Sequence, residues 1–144
     1  GLDQNKRSDA GAIGVMQVLP QTAQEMRVGD VHKLEPNIHA GVKYLRQLAD
    51  HYFDAPEIDA FNRTLFAFAA YNAGPTRIAQ LCVEAKRAGL NPDLWFNNVE
   101  RTVAKRVGNE TVQYVANIYK YYIAYSLVER HAYERNQVRG TLLP

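Results

Sequence analysis

The sequence predicts an all-α domain. Apolar residues recur at three- and four-residue spacing in several segments, strand-like alternation is scarce, and Gly and Pro fall where helices would begin and end. The 144 residues make about one domain, and a 47% hydrophobic content is enough for a core.

The elements follow in order. Residues 1–14 read as loop, with Gly11 and Gly14 as turn residues. Pro20 suits a first helical turn, where its missing N–H costs nothing, so a short helix is expected from Pro20 to Met26, stopping near Gly29. Pro36 marks the next start. Ile38, Val42, Leu45, Leu48 and Tyr52 then form one apolar face, opposite Lys43, Arg46, Gln47 and Asp50. A third helix is expected over residues 59–71. Its second half, Leu65 to Ala70, is apolar all round, which places it at the centre of the domain. Asn72-Ala73-Gly74-Pro75 is a stop-and-turn signal, and a fourth helix follows over residues 75–88, closed by Gly89. An irregular stretch surrounds Trp95 and Phe96. The last helix is expected over residues 109–130, with Val112, Val115, Ile118, Tyr122 and Tyr125 apolar, and residues 131–144 form a tail ending Leu142-Leu143-Pro144.

Composition narrows the function classes. Lys+Arg 17 against Asp+Glu 15 gives a net charge of +2, too little for a dedicated nucleic-acid binder, so no nucleic-acid partner is expected. A single cysteine, Cys82, excludes an internal disulfide framework. It shares a face with Ile78, Leu81 and Ala85, as a buried, inert thiol would. His32, His39, His51 and His131 show no metal-ligand spacing and read as surface or satisfied groups. Arg101, Lys105 and Arg106 make a small basic patch, read as a solvated face. The chain opens on polar, turn-like sequence without a signal-peptide pattern, so it is expected to be part of something longer.

Three segments look unlike helix filler: Ser8-Asp9-Ala10-Gly11-Ala12-Ile13-Gly14-Val15-Met16-Gln17-Val18-Leu19-Pro20 with Thr22-Ala23 after it, Ala69-Ala70-Tyr71-Asn72-Ala73-Gly74-Pro75, and Glu110-Thr111-Val112-Gln113-Tyr114-Val115. In this order they resemble the catalytic domain of soluble-type lytic transglycosylases, which show G-x-x-G-[LV]-M-Q, A-Y-N-A-G-P and E-T-x-x-Y-V segments. Asn37-Ile38-His39-Ala40-Gly41-Val42-Lys43-Tyr44-Leu45 also looks like the family's N-I-x-x-G-x-x-Y-L helix. The resemblance covers residues 1 to about 125 and is nearest the membrane-bound F type. It implies a goose-lysozyme-like helical fold, peptidoglycan glycan strands as substrate, no metal or cofactor, a place in the bacterial envelope facing the periplasm, and a solute-binding-like domain upstream. One transglycosylase domain is expected over residues 1–144, with residues 1–19 as its active-site loop.

The family's general acid is the Glu of a Glu-Ser pair nine positions before the motif serine. Counted from Ser8, that Glu falls two residues before Gly1, so no catalytic residue is expected within the chain and the first helix is expected to be missing. Its loss would bare apolar surface beside the Phe66 and Phe68 helix and favour reduced stability or a dimer. The chemistry needs one carboxyl group with a raised pKa to protonate the leaving oxygen. The family implies that the same Glu then takes the proton of the sugar's 6-hydroxyl, which closes a 1,6-anhydro ring without water. A goose-type hydrolase and a non-catalytic peptidoglycan-binding domain remain the alternatives.

The match assigns substrate-binding roles to Ser8, Met16, Gln17, Tyr71, Asn72, Glu110 and Tyr114. Each also has a plain structural reading. Ser8 could close a local turn, Met16 could fill core, and Asn72 could cap a helix end. Glu110 could simply favour a helix N-terminus, with Tyr114 one turn along the same face. Tyr71 could stack on a sugar and use its hydroxyl. Tyr119, Tyr121, Tyr122 and Tyr125 are spread round a helix and read as core and rim.

Overall fold

The computed structural model describes residues 3–142 and confirms the all-α class: six α-helices and no strand among the described residues. The opening Gly1-Leu2 and closing Leu143-Pro144 lie outside the described residues. The chain divides into two compact units, Gly1–Ala79 and Gln80–Pro144.

The first unit begins with a loop folded on itself by isolated bridges pairing Ile13 with Arg7 and with Val18. Helix α1 (Pro20–Met26) starts at the expected proline, after an extended Leu19. It ends at Arg27, which is left-handed at φ 53° and whose N–H donates to the Ala23 carbonyl. The Lys43 ammonium donates to the Met26 carbonyl at 2.8 Å, placing a cation where the helix end is electronegative.

Helix α2 (Leu34–Tyr52) begins before the expected Pro36 and buries a different face from the one its largest residues suggest. Asn37, Ala40, Gly41 and Leu48 point inward, whereas Ile38, Val42 and Tyr52 are 42%, 47% and 46% exposed. Close approach decides this. A Cβ on Gly41 would lie 2.6 Å from the Met16 Cε and 2.7 Å from its Cβ, so only the small-residue face lets the helix lie against the loop. Ile13, Val18, Ala23, Met26, Val31 and Ala40 make the core there.

Helix α3 (Ala60–Ala73) packs on α2 and is the buried centre of this unit. Leu65, Phe66, Ala67, Ala69 and Ala70 are buried, and Phe53 stacks on Phe66 with ring centres 5.3 Å apart. Phe66 is wholly enclosed and Phe68 half-buried, whereas Phe61 at the start of the helix is 44% exposed. Gly74, at φ 96°, turns the chain into helix α4 (Pro75–Arg87), along which the division between units falls.

In the second unit Trp95, Val99, Val103 and Val115 are fully buried. The stretch expected to be irregular is so: Phe96 is extended and Asn97 left-handed at φ 60°. The Asn98 side chain braces it, accepting from the Asn91 N–H and donating to the Phe96 carbonyl. Helix α5 (Glu100–Arg106) is not foreseen by the sequence reading, because seven residues, about two turns, with Thr102 and Val103 inward offer too little periodicity to read. An Arg106–Glu84 ion pair ties its end to α4, so part of the basic patch is paired rather than freely solvated.

Helix α6 (Asn109–Leu142) runs on through the expected tail. The polar composition of residues 131–142 is compatible with helix because only Gly140 there is a poor helix former. The tyrosine expectation is corrected too. Tyr121, Tyr122 and Tyr125 are 77%, 63% and 64% exposed, and only Tyr119 is half-buried, tilted against Phe96. Cys82 is half-buried, and burial pushes its thiol up to about 12, as an inert thiol requires.

Gly11 and Gly14 both have positive φ, 83° and 76°, but a Cβ on Gly11 meets open space whereas one on Gly14 lies 2.5 Å from the Asn37 amide nitrogen. Gly11→Ala should therefore cost about 1 kcal/mol, the left-handed penalty alone, and Gly14→Ala well over about 2 kcal/mol. Urea titration separates these, and equal losses would refute the account. Asp59 caps α3 by accepting from the Asn62 N–H at 2.7 Å, which holds its carboxyl below the usual range. A depressed carboxyl stabilises the fold above its unfolded pKa, and that contribution is lost as pH falls through the folded value. Asp59→Ala should lower the midpoint of thermal unfolding near neutrality, with the gap from wild type closing in acid.

Candidate functional site

The candidate site lies in the first unit, where the loop and the end of α3 meet. A cavity of about 220 Å³ is lined by Gln17, Leu19 and Thr22 from the loop and α1, Tyr44 from α2, and Tyr71 and Asn72 from α3, among others. The first and second sequence motifs, far apart in the chain, thus face one cavity.

The peptide of Met16 joins them. Its carbonyl accepts from the Tyr71 hydroxyl at 2.5 Å, and its N–H donates to the Asn37 side-chain oxygen at 2.9 Å. Asn37 is fully buried and uses its amide nitrogen as well, donating to the Ile13 carbonyl at 2.7 Å and the Val31 carbonyl at 3.0 Å. Each of these backbone groups would cost about 1–3 kcal/mol if left buried without a partner. Gln4 does similar work nearer the surface: its oxygen accepts from the Val15 N–H, and its nitrogen donates to the Val31 and His32 carbonyls. Gln17, next along, is held left-handed at φ 49°.

The expected site residues separate. Gln17, Tyr71 and Asn72 line the cavity. The Gln17 nitrogen is committed to the Gly14 carbonyl at 2.7 Å and the Lys6 carbonyl at 3.3 Å, which leaves its oxygen as the group for a ligand. Tyr71 is tilted against Tyr44, with ring centres 5.4 Å apart, and burial raises the Tyr44 pKa. Met16 does not line the cavity. Its side chain packs on the core beside Gly41, and its backbone forms the link. Ser8 does not line it either, since its hydroxyl accepts from the Ala12 N–H at 2.9 Å in a local turn. Glu110 and Tyr114 belong to the second unit, on the first turns of α6. Glu110 is exposed, and burial raises the Tyr114 pKa.

Sequence reading missed Asn37, Gln4, Thr22 and Tyr44 as contributors. Asn37 did leave a signal: a polar residue inside a helix, four before a glycine. Gln4 left none. Among the described residues, no cluster of His, Cys, Asp or Glu is placed to hold a metal ion, and no helix is long and apolar enough to cross a membrane.

The family model of the transglycosylase SLT domain matches residues 1–92. A protein of Desulfosudis oleivorans named membrane-bound lytic murein transglycosylase F is 37% identical over 134 aligned positions, covering 84% of this chain and 29% of that protein. Proteins of the same name from Pseudomonas putida and Shewanella woodyi are 32% and 34% identical, covering 94% and 82% of this chain. The chain spans about 30% of the length of these curated relatives.

Removing the Tyr71 hydroxyl tests the link between the motifs. Tyr71→Phe should cost about 1 kcal/mol in thermal unfolding, one hydrogen bond's net worth. Amide shift changes should concentrate at residues 14–19. Changes spread evenly over the first unit would contradict the assigned contact.

Proposed function

The chain belongs to the transglycosylase SLT domain family, and from that premise we propose that it forms the glycan-binding part of a peptidoglycan lytic transglycosylase. The observation that carries the reading is the single cavity shared by Gln17, Tyr71 and Asn72, two family motifs brought to one place. An aromatic ring flanked by amide groups suits a sugar: the ring covers a pyranose face, and the amides exchange hydrogen bonds with hydroxyl and acetamido groups. The Tyr71 hydroxyl donates to the Met16 carbonyl, which fixes the ring at the cavity wall.

The reaction in this reading is non-hydrolytic cleavage of the bond from N-acetylmuramic acid to N-acetylglucosamine. A carboxyl group protonates the leaving oxygen as the C1–O bond breaks, and the acetamido oxygen holds the anomeric carbon. The resulting carboxylate then takes the 6-hydroxyl proton while O6 attacks C1 and displaces the acetamido oxygen. The general acid is a Glu two positions before Gly1, by the register from Ser8. In this reading the protein works on the periplasmic face of the envelope.

The test uses the protein extended upstream through the proposed Glu. Purified peptidoglycan is digested and the products weighed by mass spectrometry. Products ending in 1,6-anhydro-N-acetylmuramic acid are expected. Reducing-end products alone would make the protein a hydrolase, and binding without cleavage would make it a non-catalytic module.

A further inference from the structure

We propose that Asn37 is a positioning residue for the glycan cavity, setting the place of Gln17 through the Met16 peptide without touching the sugar. The inference rests on the proposed function and adds a determinant outside the cavity. Asn37 is fully buried and does not line it. All its hydrogen-bond partners are backbone groups: the Met16 N–H on one side, and the Ile13 and Val31 carbonyls on the other. One amide therefore reads two turns of the loop and the approach to α2, and fixes their separation.

The arrangement leaves little slack. Met16 is gripped at its N–H by Asn37 and at its carbonyl by Tyr71. Gln17, immediately after it, is a non-glycine residue held left-handed, a conformation that surrounding contacts must enforce. The Asn37 amide also lies against Gly14, where a Cβ would collide with it, and the Gln17 nitrogen donates to the Gly14 carbonyl. Moving the Asn37 side chain therefore moves both supports of Gln17, its backbone through Met16 and its side chain through Gly14.

The chemistry of the amide supplies a specific test. Only a group that accepts on one side and donates on the other fits here. Aspartate has the same shape, but its charged form cannot donate and would face two carbonyl oxygens. Its neutral form accepts from the Met16 N–H and donates to one carbonyl. Burial and the facing carbonyls raise the pKa of such a carboxyl, so the native arrangement is present in acid and lost as pH rises through that value.

Asn37→Asp and wild type are compared by calorimetric binding of the tetrasaccharide of alternating N-acetylglucosamine and N-acetylmuramic acid, near pH 4.5 and near pH 8, with Gln17 amide shifts followed by NMR. The variant is expected to bind about tenfold more weakly than wild type in base and within about twofold of it in acid, with the Gln17 shift returning to its wild-type place. If the aspartate variant does not fold in base, Asn37→Ser, which cannot be rescued by protons, is read instead and should bind about tenfold more weakly at both pH values. Wild-type affinity in either folded variant near pH 8, or an acid-insensitive loss in Asn37→Asp, would overturn the inference and leave the proposed function standing. No binding by wild type at either pH would overturn the proposed function, and the inference with it.

Discussion

The first unit depends on one buried amide. The loop before α1 buries Ala12, Ile13 and Val18 and makes turn bonds and isolated bridges within itself, but it has no helix or sheet ladder to pair its remaining backbone groups. Asn37 supplies what burial does not: one accepted and two donated bonds, aimed at three backbone groups. A buried polar group is costly when unpaired and strongly specifying when every bond is made. Here the bonds are made, and the loop has one register.

Other features follow from that choice. Gly14 is bare because the amide occupies the space a side chain would need, and Gly41 is bare because the Met16 side chain lies there. Ala40, beside Gly41, is completely enclosed. Helix α2 thus gives up helix propensity at Gly41, about 1 kcal/mol relative to alanine, to bring its backbone against the loop. Ile38, Val42 and Tyr52 face outward as a result. Tyr71 closes the arrangement from α3, so the cavity walls are joined by hydrogen bonds rather than by packing alone.

Much of the fold was legible. Pro20, the apolar run from Leu65 to Ala70, and the Asn72-Ala73-Gly74-Pro75 stop mark their elements by local chemistry, which survives without knowledge of neighbours. The failures are tertiary. The inward face of α2 was read from residue size, but contact distance chose it. Helix α5 is too short to show a period, and the outer half of α6 carries apolar residues with no core to face. Of the site, Tyr71, Asn72 and Gln17 were legible as motif residues. The inward turn of Met16 and the bonding of Asn37 were not, because a sequence shows which groups can pair but not which carbonyls will be near.

The outer half of α6 has a consequence for how the molecule opens. Tyr121, Tyr122, Tyr125, Leu127, Val128, Tyr133 and Val138 are exposed, so little tertiary contact opposes fraying there. Its amides are held chiefly by the helix's own hydrogen bonds, a local term, whereas Thr111 and Val115 at the base are enclosed. One continuous helix therefore contains two regimes of hydrogen exchange: a base that opens only with the second unit, and an outer stretch that opens turn by turn. A protease given the folded chain would meet the outer stretch first and leave the base intact.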